Sequence, residues 1–311
     1  MSVVPPAHTG PVDVRTLTDA DARERDAALG DVAWRDLPAG VMRIEYSVPS
    51  GRLAGLVAGQ PDAPRVVLVP GITGSKEDFI VMLPLLAAAG LRVETFDMAG
   101  QYESHRAGPE NLRPVRGAYD LDLFVEDLKA VLAIGPVPAH LVGYSFAGTV
   151  VAQLAARFPE AIGSLTLISA PPVAGAAFGR IRGLGPLARV IAARKAAPLV
   201  MWGIGRNLNR APRHRIAFVR ERFALTRRDS VADIFEIMSA TPDLDEALAA
   251  IDAPKLVVTG ARDLWPERLH RAYAARIGAD VMVTAGGHSP SEDAPHALSR
   301  EIARRAGLDG T

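Results

Sequence analysis

The 311-residue chain contains no cysteine. That absence excludes disulfides, thiol nucleophiles, thiolate zinc sites and iron–sulfur clusters, and it fits a cytoplasmic protein. Excess charge is also missing: 35 basic residues stand against 35 acidic ones, so neither a nucleic-acid nor a membrane-surface partner is expected. Lysine is scarce. Only Lys76, Lys129, Lys195 and Lys255 occur, so arginine supplies the other basic groups, a bias we ascribe to coding composition. No long apolar run is present, because the stretch Ala196 to Ile204 is interrupted by Pro198 and is far shorter than a bilayer span. The start, Met1 to His8, has neither the basic nor the apolar region of a secretory signal. The length suits one large α/β domain with an insertion.

What is present centres on Ala139 to Val150, where an apolar run stops at a serine flanked by small residues, Gly143-Tyr144-Ser145-Phe146-Ala147-Gly148. A strand through Leu141 and Val142 must turn sharply into a helix at Ser145, and Gly143 and Ala147 supply the small side chains that such tight contact demands. Ala147, Val150, Val151, Leu154 and Phe158 recur at three- and four-residue steps, the pattern of one buried helix face. The stretch resembles the nucleophile elbow of the α/β-hydrolase superfamily, with Ala147 in place of the last glycine of G-x-S-x-G. The resemblance spans residues 42 to 306. It implies a mostly parallel, doubly wound sheet with a helical cap inserted after the sixth strand.

The rest of the chain falls into the order expected of that family. Residues 1 to about 14 read as a mobile arm, followed by a polar helix candidate from Asp19 to Leu29. Met42 to Ser47 and Leu53 to Val57 read as a hairpin across Pro49-Ser50-Gly51, and Arg65 to Val69 as a strand buried on both faces. Pro70 to Ser75 is a glycine-rich turn, followed by a helix carrying Phe79, Met82, Leu83 and Leu86. A phosphate-cradling loop is the alternative reading there, but the Walker spacing is absent. By position in the family, Ile72 and Phe146 are the two oxyanion-hole N–H donors. Leu91 to Phe96 is the next strand. Its following turn, Asp97 to Ser104, carries Tyr102 where the family has a second glycine, so Tyr102 is expected to point outward or into the pocket mouth, with Asp97 a structural turn-former. Asp120 caps a helix through Leu121, Phe124, Leu128, Val131 and Leu132.

After the strand Ser164 to Ser169 the alternation stops until Lys255 to Val258. Domain bounds follow: 1–40 arm and helix, 41–171 first part of the core, 172–242 helical cap, 243–311 second part of the core. Helical segments within the cap are expected near Leu187 to Lys195, Arg213 to Phe223 and Ser230 to Met238. Met201, Trp202, Phe218 and Phe223 either line a pocket or pack cap against core. Between Val173 and Arg228 thirteen basic residues accompany a single acid, Glu221. That imbalance reads as a solvated or docking face, or as arginines that bind an anionic group on the substrate.

Asp263 directly follows a strand and is the candidate orienting carboxylate; an ordinary N-cap for the helix near Pro266 is the alternative. His288, in the Ala285 to Pro295 loop, resembles the family's catalytic histidine, and the order Ser145, Asp263, His288 is the superfamily's order. Among the other histidines His105 alone is placed to reach the pocket. Candidate substrate contacts are Gly71, Tyr102, His105, Tyr144, Trp202 and Trp265. No motif asks for a metal or a cofactor. The function expected from the resemblance is a cofactor-free serine hydrolase acting on an ester-like bond of a small molecule. A lyase or synthase of the menaquinone-pathway cyclohexadiene synthase type, a carbon–carbon bond hydrolase and a non-catalytic receptor are the alternatives on the same fold. Oligomeric state is not legible.

Overall fold

The computed structural model describes residues 12–175 and 213–308. Eight strands form one sheet in the order β1-β2-β4-β3-β5-β6-β7-β8. They are β1 (Met42–Val48), β2 (Gly51–Ala58), β3 (Arg65–Val69), β4 (Arg92–Phe96), β5 (Ala139–Tyr144), β6 (Ile162–Ile168), β7 (Lys255–Gly260) and β8 (Asp280–Thr284). β1 and β2 pair antiparallel, as do β2 and β4, and the pairs from β4 across to β8 are all parallel. This is an α/β-hydrolase sheet. β3 and β5 are buried through most of their length, because helices cover both faces of a parallel sheet and leave neither side for polar alternation.

Those helices are α1 (Asp19–Ala27), α2 (Met82–Ala88), α3 (Leu121–Ala133), α4 (Phe146–Arg157), α5 (Arg213–Leu225), α6 (Arg228–Ser239), α7 (Asp245–Ala249), α8 (Glu267–Ile277), α9 (Pro290–Asp293) and α10 (Pro295–Arg305). Two cores result. One, between the sheet and α3, α4 and α8, includes Phe124, Val151, Leu154, Leu167 and Ile277. The other, between the sheet and α2 and α10, includes Leu68, Phe79, Leu86, Val142 and Leu298.

From β3 the chain passes to β4 on one side and later returns to β5 on the other. At such a switch point the loops after neighbouring parallel strands diverge and leave a crevice above their carboxyl ends. The segments bearing Ile72 and Ser145 flank this crevice, and Asp263 and His288 follow the ends of β7 and β8. The expected single helix after the Pro70 to Ser75 turn is instead a 3₁₀ turn, Lys76–Phe79, followed by α2. Pro84 explains the break: it has no N–H for the Ile80 carbonyl, so α-helical pairing cannot run back through that turn.

Of the segment expected to be a mobile arm, residues 1 to about 14, only 12–14 are described. Val14 and Leu17 are buried in the second core, and residues 1–11 lie outside the described residues. α1 ends at Ala27 rather than Leu29. Its Asp26 accepts the His296 and Ala297 amides at 2.8 and 3.1 Å, capping α10 from a distant part of the chain. The insertion after β6 contributes α5 and α6, and the expected helix at Leu187 to Lys195 falls outside the described residues. Both helices dock on the loop after β4: the Tyr102 amide donates to Thr226 Oγ1 at 3.1 Å, Gln101 Nε2 to Ser230 Oγ at 2.7 Å, and the Arg227 amide to the Gly100 carbonyl at 2.8 Å.

Candidate active site

Ser145 sits between β5 and α4 with φ 54° and ψ −122°, a left-handed backbone that costs a non-glycine residue on the order of 1–3 kcal/mol. The neighbourhood sustains this strain by close packing. A Cβ on Gly143 would lie 2.5 Å from Val151 Cγ2 and 2.6 Å from the Ala147 carbonyl oxygen, and one on Gly148 would collide with Ala170 Cβ. Strand and helix therefore approach too closely for any larger residue. The Ser145 amide donates to the Ile168 carbonyl at 2.8 Å, which ties the turn to β6 and presents the hydroxyl above the sheet edge.

From that hydroxyl runs a chain of hydrogen bonds. Ser145 Oγ is 3.0 Å from His288 Nε2, and His288 Nδ1 is 2.9 Å from Asp263 Oδ1. Asp263 has no solvent-exposed side chain, and its Oδ2 accepts from Thr259 Oγ1 at 3.1 Å. Burial opposes its ionisation, but the hydrogen bond and charge of His288 outweigh burial and hold the carboxyl down at about 2. An ionised Asp263 fixes the proton on His288 Nδ1 and leaves Nε2 as the acceptor facing the serine. The imidazole is wedged between two aromatic rings, Tyr144 at 5.5 Å and Trp265 at 5.7 Å between centroids. Tyr144 is itself held by a hydrogen bond between its hydroxyl and Ser289 Oγ at 2.9 Å.

Gly71 lies directly against the nucleophile, since a Cβ there would meet Ser145 Cβ at 2.9 Å. The turn after it is closed by the Gly74 amide on the Gly71 carbonyl at 2.9 Å and is pinned by Gln101 Oε1, which accepts the Thr73 amide at 3.0 Å. Among the described residues neither the Ile72 nor the Phe146 N–H has an acceptor, the condition required of amides that are to receive an oxyanion.

Buried charges hold this turn to its neighbours. Lys76 Nζ is 3.0 Å from Asp97 Oδ2, 3.0 Å from Glu77 and 2.7 Å from Glu103. Burial works against the Lys76 ammonium, yet the charges of Asp97 and Glu77 more than compensate and keep it protonated. Asp97 is thus the structural residue expected. Of the two orientations expected for Tyr102, the outward one is not adopted: the ring is buried edge-on against Phe218, 5.8 Å between centroids, with Lys76 Nζ 4.9 Å from it. Phe218 is almost fully buried between Tyr102 and Trp34, so it packs insertion against core. His105 Nδ1 pairs with the Tyr102 carbonyl at 2.9 Å and takes no part in the serine–histidine–aspartate chain. Trp202 and Met201 lie outside the described residues.

Several charged groups near the site carried no recognisable sequence signal. Arg215 and Arg222 on α5 both donate to Asp78, Arg215 also to Glu292, and Arg227 pairs with Glu110 and Asp229. The basic excess of the insertion thus meets acids of the core wherever Arg215, Arg222 and Arg227 are concerned. Their partners lie more than a hundred residues away for Asp78 and Glu110, which is why spacing alone hid them. His270, fully buried with its Nε2 3.9 Å from Asp263 Oδ2, was also missed; burial pushes its imidazole down to about 4, so it stays neutral.

Comparison with known proteins agrees with this architecture. A family model described as the alpha/beta hydrolase fold matches residues 64–196. The chain is 28% identical over 247 residues to a Stutzerimonas stutzeri (strain A1501) protein provisionally named carbamate hydrolase RutD, covering 75% of this chain and 87% of that one. A hydrolase from Pseudomonas aeruginosa PA01 superposes with a TM-score of 0.68 at 24% identity, covering 87% of this chain and all of the other. Haloalkane dehalogenase DbeA from Bradyrhizobium elkani USDA94 gives a TM-score of 0.69 at 20% identity over 86% and 99% of the two chains. The chain has the α/β-hydrolase fold and is similar to hydrolases of that fold. No helix among the described residues is long and apolar enough to cross a membrane.

Proposed function

We propose that the protein is a cofactor-free serine hydrolase that cleaves an ester-like or otherwise activated carbonyl bond of a small molecule through an acyl-enzyme. The observation that carries this reading is the continuous chain Ser145 Oγ–His288 Nε2 at 3.0 Å and His288 Nδ1–Asp263 Oδ1 at 2.9 Å. His288 takes the Ser145 proton as Oγ attacks the carbonyl carbon, and the Ile72 and Phe146 amides receive the developing oxyanion. The imidazolium, stabilised by Asp263, then protonates the leaving group, and the carbon–heteroatom bond breaks. In the second half His288 takes a proton from water as the water oxygen attacks the acyl carbon, and the imidazolium returns that proton to Ser145 Oγ as the carbon–Oγ bond breaks.

Serine at position 145 separates this chemistry from that of dehalogenases, which need a carboxylate to form an alkyl ester. Carbamates belong in the first screen of substrates because of the name of the Stutzerimonas relative. Specificity resides, in this reading, in the helical cap formed by the insertion at 172–242. An anionic substrate group finds no free partner in Arg215, Arg222 or Arg227, all of which are engaged by core carboxylates.

The test is turnover of p-nitrophenyl esters and carbamates by wild type and by Ser145→Ala. The variant is expected to lose activity by a factor on the order of 10⁶ while remaining folded. Retention of more than a few per cent of wild-type turnover overturns the assignment. Wild-type protein inert to every such substrate but labelled at Ser145 by a fluorophosphonate would favour the lyase or synthase alternative.

A further inference from the structure

We propose that Arg215 is a positioning residue for catalysis: its guanidinium, delivered by the insertion after β6, joins the turn that carries the Ile72 amide to the turn that carries His288. The proposal rests on the serine-hydrolase reading above. Nη2 of Arg215 donates to Asp78 Oδ1 at 3.0 Å and also to Glu292 Oε1. One nitrogen thus holds two carboxylates 214 positions apart in the chain, one following β3 and one following β8.

Each carboxylate is rigidly attached to its own half of the site. Asp78 Oδ2 accepts the Ser75 amide at 3.2 Å and lies close over the glycine turn, where a Cβ on Gly74 would approach it to 2.5 Å. Movement of Asp78 therefore moves the backbone that presents Ile72. On the other side, the Glu292 amide donates to the Ser289 carbonyl at 2.9 Å, and Ser289 Oγ meets the Tyr144 hydroxyl that braces the His288 ring. The adjacent Asp293 accepts the Gly287 amide at 2.9 Å. Displacing Glu292 therefore displaces the residues on both sides of His288.

The charge arrangement gives the link its direction. Asp78 and Glu292 are two acids that share one nitrogen of Arg215, and Arg222, two helical turns beyond Arg215, reaches Asp78 at 2.7 Å but not Glu292. Burial pushes the Glu292 carboxyl up to about 7, with Arg215 opposing that shift and Asp78 adding to it. Without Arg215 the two carboxyl groups lose their common partner and Glu292 takes up a proton to relieve the repulsion from Asp78, so nothing ties the half of the site that bears the base to the half that bears the oxyanion donor. Arg215 is itself braced by the Trp34 ring, 4.2 Å from its guanidinium carbon, so the N-terminal segment supports the link from outside. A hydrogen bond confined to stability would fasten a loop to the scaffold; this one fastens the two reacting halves to each other.

The experiment compares wild type with Arg215→Gln, Arg215→Lys and Arg222→Gln. It reads kcat and KM on p-nitrophenyl acetate, affinity for benzeneboronic acid, melting temperature, and labelling of Ser145 by a fluorophosphonate. Arg215→Gln is expected to lower kcat by roughly 10- to 100-fold, as misplacement by up to an ångström does, with KM within about threefold of wild type on the same scale. Boronate affinity should fall in step with kcat/KM, because both report the oxyanion geometry, and Arg215→Lys should recover much of the loss. Arg222→Gln, which touches only the Asp78 side, should lose less. A folded Arg215→Gln variant with wild-type kcat and boronate affinity overturns the proposal. Should that variant not fold, the cycle Asp78→Asn, Glu292→Gln and the double variant decides. Non-additive effects on kcat support the link, and additive effects overturn it. Absence of fluorophosphonate labelling in wild type would instead remove the serine reading on which the proposal stands.

Discussion

Gly260→Ala is the substitution whose consequence can be worked most directly from distances. Gly260 ends β7, three residues before Asp263, and its α-carbon faces the backbone of the histidine loop. A Cβ there would lie 2.7 Å from the Gly286 carbonyl oxygen and 2.8 Å from the Gly287 carbonyl carbon, and closer still to the Gly287 carbonyl oxygen. All three atoms are backbone, so no flexible side chain can yield. Restoring even ordinary contact distance requires the 286–288 segment to retreat by at least about half an ångström from the Gly286 contact alone, and by more from Gly287. The two hydrogen bonds of His288, at 2.9 and 3.0 Å, tolerate about that much before they cease to be hydrogen bonds. The methyl group should therefore uncouple His288 from one or both partners, lowering kcat on an aryl ester by roughly 100-fold and stability by about 1–3 kcal/mol. The control is Gly287→Ala, one residue from the histidine, where an added Cβ meets nothing within 4 Å and both activity and melting temperature should stay near wild type. Wild-type kcat in Gly260→Ala, measured beside its melting temperature, would refute the reasoning.

Three further outcomes follow from the buried charges. Arg65→Met strands Glu94, which loses its 2.7 Å partner but keeps Arg92 and the Tyr46 hydroxyl; urea denaturation should show a loss of ~3 kcal/mol, the low end for a broken buried pair, with kcat unchanged. Asp127 is pushed up to about 7 by burial, against the hydrogen bonds it accepts from Ser50. A folded carboxyl pKa above its unfolded value means that the native state holds the extra proton, so stability should fall as pH rises from about 4 to 7 and level off above; Asp127→Asn should flatten that slope, and an unchanged slope would count against it. With Asp263 held at about 2, it remains ionised throughout the assay range. The pH profile of kcat/KM should therefore show no step from Asp263 between pH 5 and 8, and a step that vanishes in Asp263→Asn would contradict its assignment as the ionised orienting carboxylate.

The sheet and the residues of the candidate site were legible because their signals are local. Val66 to Val69 is an unbroken apolar run as only a doubly covered strand can be, and the small residues around Ser145 announce a close strand–helix approach that Gly143 and Gly148 indeed make. Ser145, Asp263 and His288 each stand at the end of a strand or just past it, so strand assignment alone brings them to one edge of the sheet. What escaped is what depends on contacts between distant segments. Tyr102 was read against a glycine pattern, whereas Phe218 of the insertion decides where its ring goes. The apparent surplus of arginines on the insertion dissolves at positions 215, 222 and 227 once Asp78, Glu292 and Glu110 are seen opposite them. The burial of Val14 and Leu17, at and just beyond the end of the expected arm, escaped for the same reason: isolated apolar residues in a polar stretch reveal nothing of the groove that buries them.

The central claim is that Ser145 is a nucleophile activated by His288, and covalent labelling reads it most directly. Folded protein treated with a fluorophosphonate and examined by intact-mass and peptide mass spectrometry should gain one adduct, on Ser145. The labelling rate should fall sharply in His288→Ala, and the adduct should be absent from Ser145→Ala. Folded wild-type protein that forms no adduct at Ser145, or a Ser145→Ala variant that labels and turns over esters as wild type does, would contradict the account.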